Sequence, residues 1–172
     1  MEFEFVPWHH AAPVQDEQLL QHLLQMEPGR RFQHFIKEAV WKCRIWGLEY
    51  EDRWACLPAA SDGKPAFLLW PAAEVALHFR DHASQGRWKG FHPASFDRHD
   101  LLMNLLPSLD AADMRAGVFF TDESVGVSVA PIRIFEAMRD VERLWEDWLI
   151  DGTHGAGRVG IGGDCSIGRV GQ

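Results

Sequence analysis

His78 and His82, one helical turn apart with Asp81 between them, are the residues of this chain best spaced for chemistry. Two imidazoles at i and i+4 can hold a metal ion on one helix face, although the glutamate that the zincin pattern uses as general base is missing here. The competing reading is a surface or half-buried pair without metal. His9-His10 could capture a metal in solution, yet adjacent histidines in a loop are usually solvated. Gly155-Ala156-Gly157-Arg158-Val159-Gly160 satisfies Gly-x-Gly-x-x-Gly letter for letter. It lacks the preceding strand, the following helix and the downstream acidic residue of a dinucleotide site. Gly126-Val127-Ser128-Val129-Ala130 resembles a nucleophile elbow, but its alternating valines read better as a strand. Cys43, Cys56 and Cys165 are odd in number and widely spaced, against both a zinc site and a disulfide framework. Cys43 and Cys56 sit among core-like residues and read as buried structural thiols. No nucleophile, base and metal ligand fall at a spacing that catalysis requires, so no catalytic residue, metal or cofactor is assigned.

Arg87-Trp88-Lys89, between Gly86 and Gly90, is of another kind. A basic pair around an exposed indole could clamp a carboxylate or dock a partner through cation–π and stacking contacts; alternatively the indole closes the core. Trp46 and Trp70 join these three as candidate binding residues. They belong to a stock of eight tryptophans against one tyrosine, which suits partner recognition where indoles reach the surface.

Periodicity predicts the elements that must position these residues. Leu19, Leu20, Leu23 and Leu24 recur at helical spacing behind the cap candidate Asp16, which predicts an amphipathic helix over 14–26 that Pro28-Gly29 breaks. Phe32, Phe35, Ile36, Ala39, Val40 and Cys43 make one apolar face of a second helix. At Trp46, Leu48 and Tyr50 the period changes to two, and Trp54 and Cys56 supply the matching face after Glu51-Asp52, a hairpin. Asp62-Gly63 marks another turn, Ala66 to Trp70 reads as a central strand ended by Pro71, and a helix over about 72–84 carries the two histidines. Gly86 to Pro93 is too rich in glycine and aromatics for a helix and predicts a loop leading into an extended segment. Asp97 fits an N-cap, with Asp100 in the first turn, ahead of Leu101, Leu102, Leu105 and Leu106, and Pro107 as the stop. Arg115 to Thr121 and Val125 to Ala130 form a further pairing, and Pro131 suits the first turn of a last helix. There Ile134, Met138, Val141, Trp145 and Trp148 step by four, three, four and three, a stripe that must face the core or a partner. Beyond Asp151 glycine recurs eight times, the composition of a flexible tail.

The 172 residues suit one domain, and 47% hydrophobic with 24% charged residues is a globular composition. Seventeen basic against twenty-five acidic residues leave a net charge of −8, which repels phosphate backbones and anionic lipid. Neither nucleic acid nor a membrane is therefore expected as a partner. An acidic start, Met1-Glu2-Phe3-Glu4-Phe5, where a signal peptide would be basic, the lack of a span-length apolar run and the unpaired cysteines point to a cytoplasmic protein.

An ordered set of landmarks runs through the middle of the chain: Arg31-Phe32 with Phe35, Trp46-Gly47-Leu48, Trp54-Ala55, Leu69-Trp70-Pro71, Gly86-x-Trp88, Leu105-Leu106-Pro107, Val118-Phe119 with Thr121, Gly126 and Val129-x-Pro131. In this order they make the segment over about 31–148 resemble the bacterial domain of unknown function 2750 (DUF2750) family, small cytoplasmic proteins without an assigned activity. The resemblance implies a free-standing cytosolic domain and brings no catalytic residue with it.

The expected fold is α+β, a mostly antiparallel sheet of about five strands flanked by helices in a single domain over 30–150. An N-terminal extension over 1–29 contributes one amphipathic helix, and 151–172 is the Gly-rich tail. The expected function is a non-catalytic protein-interaction or regulatory module with a protein partner; one version is an immunity protein that neutralises a basic toxin. A homodimer, formed through the Trp145/Trp148 stripe or the Leu19 to Leu24 face, is a further reading. The alternative from another class is a small-ligand- or metal-binding enzyme built on His78, His82, His92 or His99 with Asp97 or Asp100. It requires two or more of these side chains to converge in one pocket.

Overall fold

The structure, a computed structural model, describes residues 13–58, 62–83 and 86–151, without the side chains of 13–16 and 147–151. His9-His10, the Gly155 to Gly160 motif, Cys165, the tail after Asp151 and the side chains of Asp16 and Trp148 lie outside the described residues.

Helix α1 spans Pro13–Gln25 and α2 Pro28–Trp41. Pro28 opens α2 at a position whose missing N–H would have no intrahelical partner. The buried face of α2 is Arg31, Phe35, Ile36 and Ala39, with Phe32 and Val40 partly buried against the same core, so a charged residue joins the face that periodicity gives to apolar ones. The helix stops before Cys43, whose φ of 52° turns the chain into β1 (Arg44–Tyr50), so Cys43 does not extend the apolar helix face.

Strand β1 returns as β2 (Arg53–Trp54) through Glu51 and Asp52, both left-handed at φ 48° and 60°. This is the primed two-residue turn that matches strand twist. The hairpin ends after two pairs, Glu49 with Trp54 and Tyr50 with Arg53. Ala55 then changes sheets: its N–H donates to the Leu48 carbonyl at 2.8 Å, and its own carbonyl accepts from Leu68 N–H at 3.0 Å. Cys56 consequently faces Phe67, in the pairing of β3 (Cys56–Pro58) with β4 (Pro65–Leu69), and does not prolong the first hairpin.

Helix α3 (Ala73–His82) follows, then β5 (His92–Asp97), which lies antiparallel to β1 from Arg44↔Asp97 to Glu49↔His92. Helix α4 begins at Arg98–Asp100, widens into a π turn at Leu101–Leu105 and continues through Leu106–Ala111. Strands β6 (Arg115–Asp122) and β7 (Val125–Val129) pair antiparallel, and α5 (Pro131–Asp151) closes the described fold.

The fold is α+β, with seven short strands among the described residues in two sheets, β2-β1-β5 and β3-β4-β6-β7. All pairings are antiparallel except β4 with β6, which run parallel because α3, β5 and α4 form the crossover between them. Trp46 and Trp70 exchange both backbone N–H···O bonds at 2.8 Å, a second stitch beside Ala55 that joins the sheets. The central β4 is buried from Ala66 to Leu69, and Trp70 beyond it is fully enclosed against Phe79 at 5.0 Å between ring centres. Leu23 of α1 also enters this core.

Pro107 does not stop α4, because the π turn absorbs it. The wide turn is closed by the Leu106 N–H to the Leu101 carbonyl, and it places Leu101 and Leu106, five residues apart, on the same buried face. A proline in the following turn then causes no break, since the register has already shifted by one residue.

Candidate functional site

Strand β6 leaves regular geometry at Phe119, a buried non-glycine residue with φ 51°. After the pair Val118↔Val127 the next is Asp122↔Val125, so β6 carries two residues more than β7 across the bulge. Ladder carbonyls turned out of register need other donors, and side chains supply them. Arg31 Nη1 donates to the Phe119 carbonyl at 3.4 Å and to Thr121 Oγ1 at 2.9 Å, while Trp70 Nε1 donates to the Phe120 carbonyl at 2.8 Å. In the turn beyond, Glu123 accepts from Trp88 Nε1 at 3.0 Å and pairs with Arg87 at 3.5 Å. Gly126 opposite must be glycine, since a Cβ there would lie 2.2–2.5 Å from the Phe120 ring.

The landmarks Arg31, Trp70, Gly86-x-Trp88, Thr121 and Gly126, dispersed along the chain, thus meet at one bulge. Arg31 is 2% exposed, lies 5.8 Å from the Phe119 ring centre and forms no ion pair among the described residues. Its Nε is buried without a hydrogen-bond partner. Burial pushes the guanidinium pKa down, and the nearby Asp122 charge opposes that shift. This arrangement is a clasp that holds the bulge, with Arg31 Nη1 and Trp70 Nε1 engaged on its carbonyls.

Trp88 is 3% exposed, so it is not the exposed indole that the Arg87-Trp88-Lys89 segment suggests. It packs against Phe79 and Phe91, Arg87 lies 4.7 Å over its outer face, and Lys89 is exposed at the loop tip. Gly86 and Gly90, at φ 87° and 97°, allow the tight turns that fold the indole inward. Trp46 is half-buried and Trp70 buried, so of these five residues only Arg87 and Lys89 present their side chains to solvent.

His78 and His82 stack on α3 with ring centres 4.0 Å apart and planes at 14°. His82 Nδ1 lies 2.9 Å from the His78 carbonyl, whereas His78 Nδ1 is buried without a partner. Burial, aided by His82 and opposed by Asp81, lowers the His78 pKa. Asp81 is engaged by Arg80 through two bonds of 2.7 and 3.1 Å. His92 opens β5 and His99 lies past its other end, so the strand, at about 3.3 Å per residue, separates them. Asp97 caps α4 by accepting from the Asp100 N–H at 2.7 Å, and Asp100 accepts from Asn104. Among the described residues no three His, Cys, Asp or Glu side chains gather as a metal centre. The convergence that a histidine/aspartate active site requires is therefore not what these residues form.

The outer surface offers a different feature. Phe32, near the start of α2, borders a groove of about 410 Å³ with Val129, Arg133, Glu136, Ala137 and Asp140 of β7 and early α5. Trp41, the last residue of α2, meets Trp145 edge-to-face at 6.2 Å. The two helices therefore run side by side in one direction, and α5 continues past the end of α2. Along its stripe Ile134 and Met138 are buried, Val141 is half-buried, and Trp145 is 37% exposed. Trp41 is 58% exposed, and Leu144, which precedes Trp145 on α5, is 71% exposed. Sequence periodicity finds the stripe but not Trp41, whose partner is remote in sequence.

Among the described residues no helix is long and apolar enough to cross a membrane. No curated protein and no solved structure matches the chain. Residues 32–138 match the family model described as "Protein of unknown function (DUF2750)". With more than half of its length matched, the chain belongs to the DUF2750 family.

Proposed function

We propose that this protein is a non-catalytic interaction or regulatory module of the bacterial cytoplasm, which docks a basic protein partner on the exposed aromatic end of α2 and α5. The observation that carries the reading is the Trp41–Trp145 pair, two large indoles at the surface beside Leu144. Tryptophans are the commonest anchors of protein interfaces, and an exposed pair combines large contact area with little rotamer entropy to lose. Glu146 stands on the same stretch of α5, where Glu142 is held by Arg98, and the chain as a whole carries −8, so the complementary surface is basic. Neutralisation of a basic toxin is one form of this role, since it uses the same charge and size.

The test compares affinity capture by the wild type and by Trp41→Ser from the cognate cell extract at low and at high salt. Trp41 is mostly exposed, so the variant keeps its Tm. The reading expects a basic protein at fixed stoichiometry, weakened by salt and lost with Trp41→Ser. Equal capture by both proteins, or no basic partner at low salt, overturns it.

A further inference from the structure

We propose that the outer edge of α3 is a divalent transition-metal site whose two protein ligands are the Nε2 atoms of His78 and His82. The inference is independent of the docking surface and rests on four observations about one helical turn.

First, the two rings are already together, 4.0 Å apart between centres and 14° from parallel. Second, the His82 tautomer is fixed. A backbone carbonyl only accepts, so the 2.9 Å contact from His82 Nδ1 to the His78 carbonyl places the proton on Nδ1 and leaves a lone pair on Nε2. Metal proteins orient ligating imidazoles in this way, with the second ring nitrogen donating to a carbonyl or carboxylate. Third, His78 Nδ1 is buried, so Nε2 is the ring nitrogen of His78 left for an ion from outside. Fourth, that buried Nδ1 has no hydrogen-bond partner. The carbonyl of Glu74 stands one turn below it, as the carbonyl of His78 stands to His82. A metal on His78 Nε2 puts the proton on Nδ1, and a small turn of the ring lets it donate to Glu74, which satisfies the orphaned atom.

Two nitrogens bound to one ion at 2.0–2.1 Å lie about 3 Å apart. A shared ion must lie in both ring planes, so the stacked rings, 14° from parallel, turn out of the stack to aim both Nε2 lone pairs at one point, a motion that the broad torsional freedom about the Cβ–Cγ bonds allows. Neutral imidazole favours copper, nickel and zinc over calcium and magnesium, and among divalent ions the order of affinity peaks at copper. Asp81 is held by Arg80, and no third carboxylate, thiol or imidazole among the described residues joins the pair. The remaining coordination positions are therefore open to water or to a group from outside this turn.

The experiment is calorimetric titration of the full chain with copper(II) and with zinc, with magnesium as the control, on wild type, His78→Gln, His82→Gln and the pair His9→Gln/His10→Gln. Long-range ¹H–¹⁵N spectra of the imidazoles are recorded on the same samples. The site expects affinity at least tenfold weaker in His78→Gln and in His82→Gln, little change in His9→Gln/His10→Gln, and metal-induced shifts of Nε2, not Nδ1, in both rings. His82 is exposed, so His82→Gln carries the test if His78→Gln lowers the Tm of the metal-free protein. Metal affinity that survives His82→Gln and is lost on changing His9 and His10 overturns the proposal, as does coordination through Nδ1.

Discussion

Arg31 shows how one charged side chain can be held in a core. Its Nη1 is satisfied by Thr121 Oγ1 at 2.9 Å, and the Thr121 hydroxyl in turn donates to the Val125 carbonyl at 3.4 Å. Removing the hydroxyl leaves the buried cation with only the 3.4 Å bond to the Phe119 carbonyl, whereas removing the cation leaves two neutral acceptors, that carbonyl and the hydroxyl, without this donor. Thr121→Val is therefore expected to cost about 1–3 kcal/mol in denaturant unfolding, and Arg31→Met, which keeps the volume, less. The reverse order would show that the bonds of the guanidinium to the bulge outweigh the cost of burying its charge. The position was not legible in the sequence: hydropathy assigns Arg31 outward, and only the bulge carbonyls of a strand almost ninety residues away explain its burial. His34 sits beside the same bulge, edge-on to Phe119 at 6.3 Å, and burial lowers its pKa below the ordinary 6.5. As pH falls the unfolded chain takes up this proton first, so the stability present above pH 6.5 is lost on acidification. His34→Gln should flatten the fall in Tm between about pH 7 and pH 5 relative to wild type, and an unchanged slope would exclude His34 as its source.

At the scale of elements, what was legible is what is local. The Asp97 cap, the Glu51-Asp52 turn and Pro131 at the start of α5 depend on a few neighbouring residues, and the structure places each where its chemistry predicts. Asp97→Ala removes an acceptor from the Asp100 N–H and should cost about 1 kcal/mol, with Asp97→Asn retaining most of that stability. Equal losses in the two variants would mean that the carboxylate charge, and not the hydrogen bond, matters there. The π turn behind this cap could not be read in advance. Leu101, Leu102, Leu105 and Leu106 satisfy an ordinary helical period, and the burial of Leu101 together with Leu106 is set by what packs against them. The sheet change at Ala55 is of the same type: alternation through Trp54 and Cys56 continues unbroken in the sequence while the hydrogen-bond partner changes from Leu48 to Leu68.

For the whole molecule, the stripe on α5 was visible as a pattern, but which half faces the core and which faces outward depends on α2 ending at Trp41. That end exposes the surface proposed for docking, so on that proposal the same helix serves stability in its first half and recognition in its second. The stitches between the sheets have a thermodynamic consequence. Trp46 and Trp70 exchange backbone bonds across the seam, Ala55 bonds to both sides, and Trp70 also holds the β6 bulge through its indole N–H. Opening either sheet exposes Trp70, which is fully buried, and so removes packing from the other. The two sheets should therefore unfold as one cooperative unit. Tryptophan fluorescence, which reports on the buried Trp70 and Trp88, and far-UV circular dichroism should then follow a single urea transition with one midpoint. Two separated transitions would show that the seam at Trp46, Ala55 and Trp70 joins independent units, and that the clasp on the bulge stabilises only its own sheet.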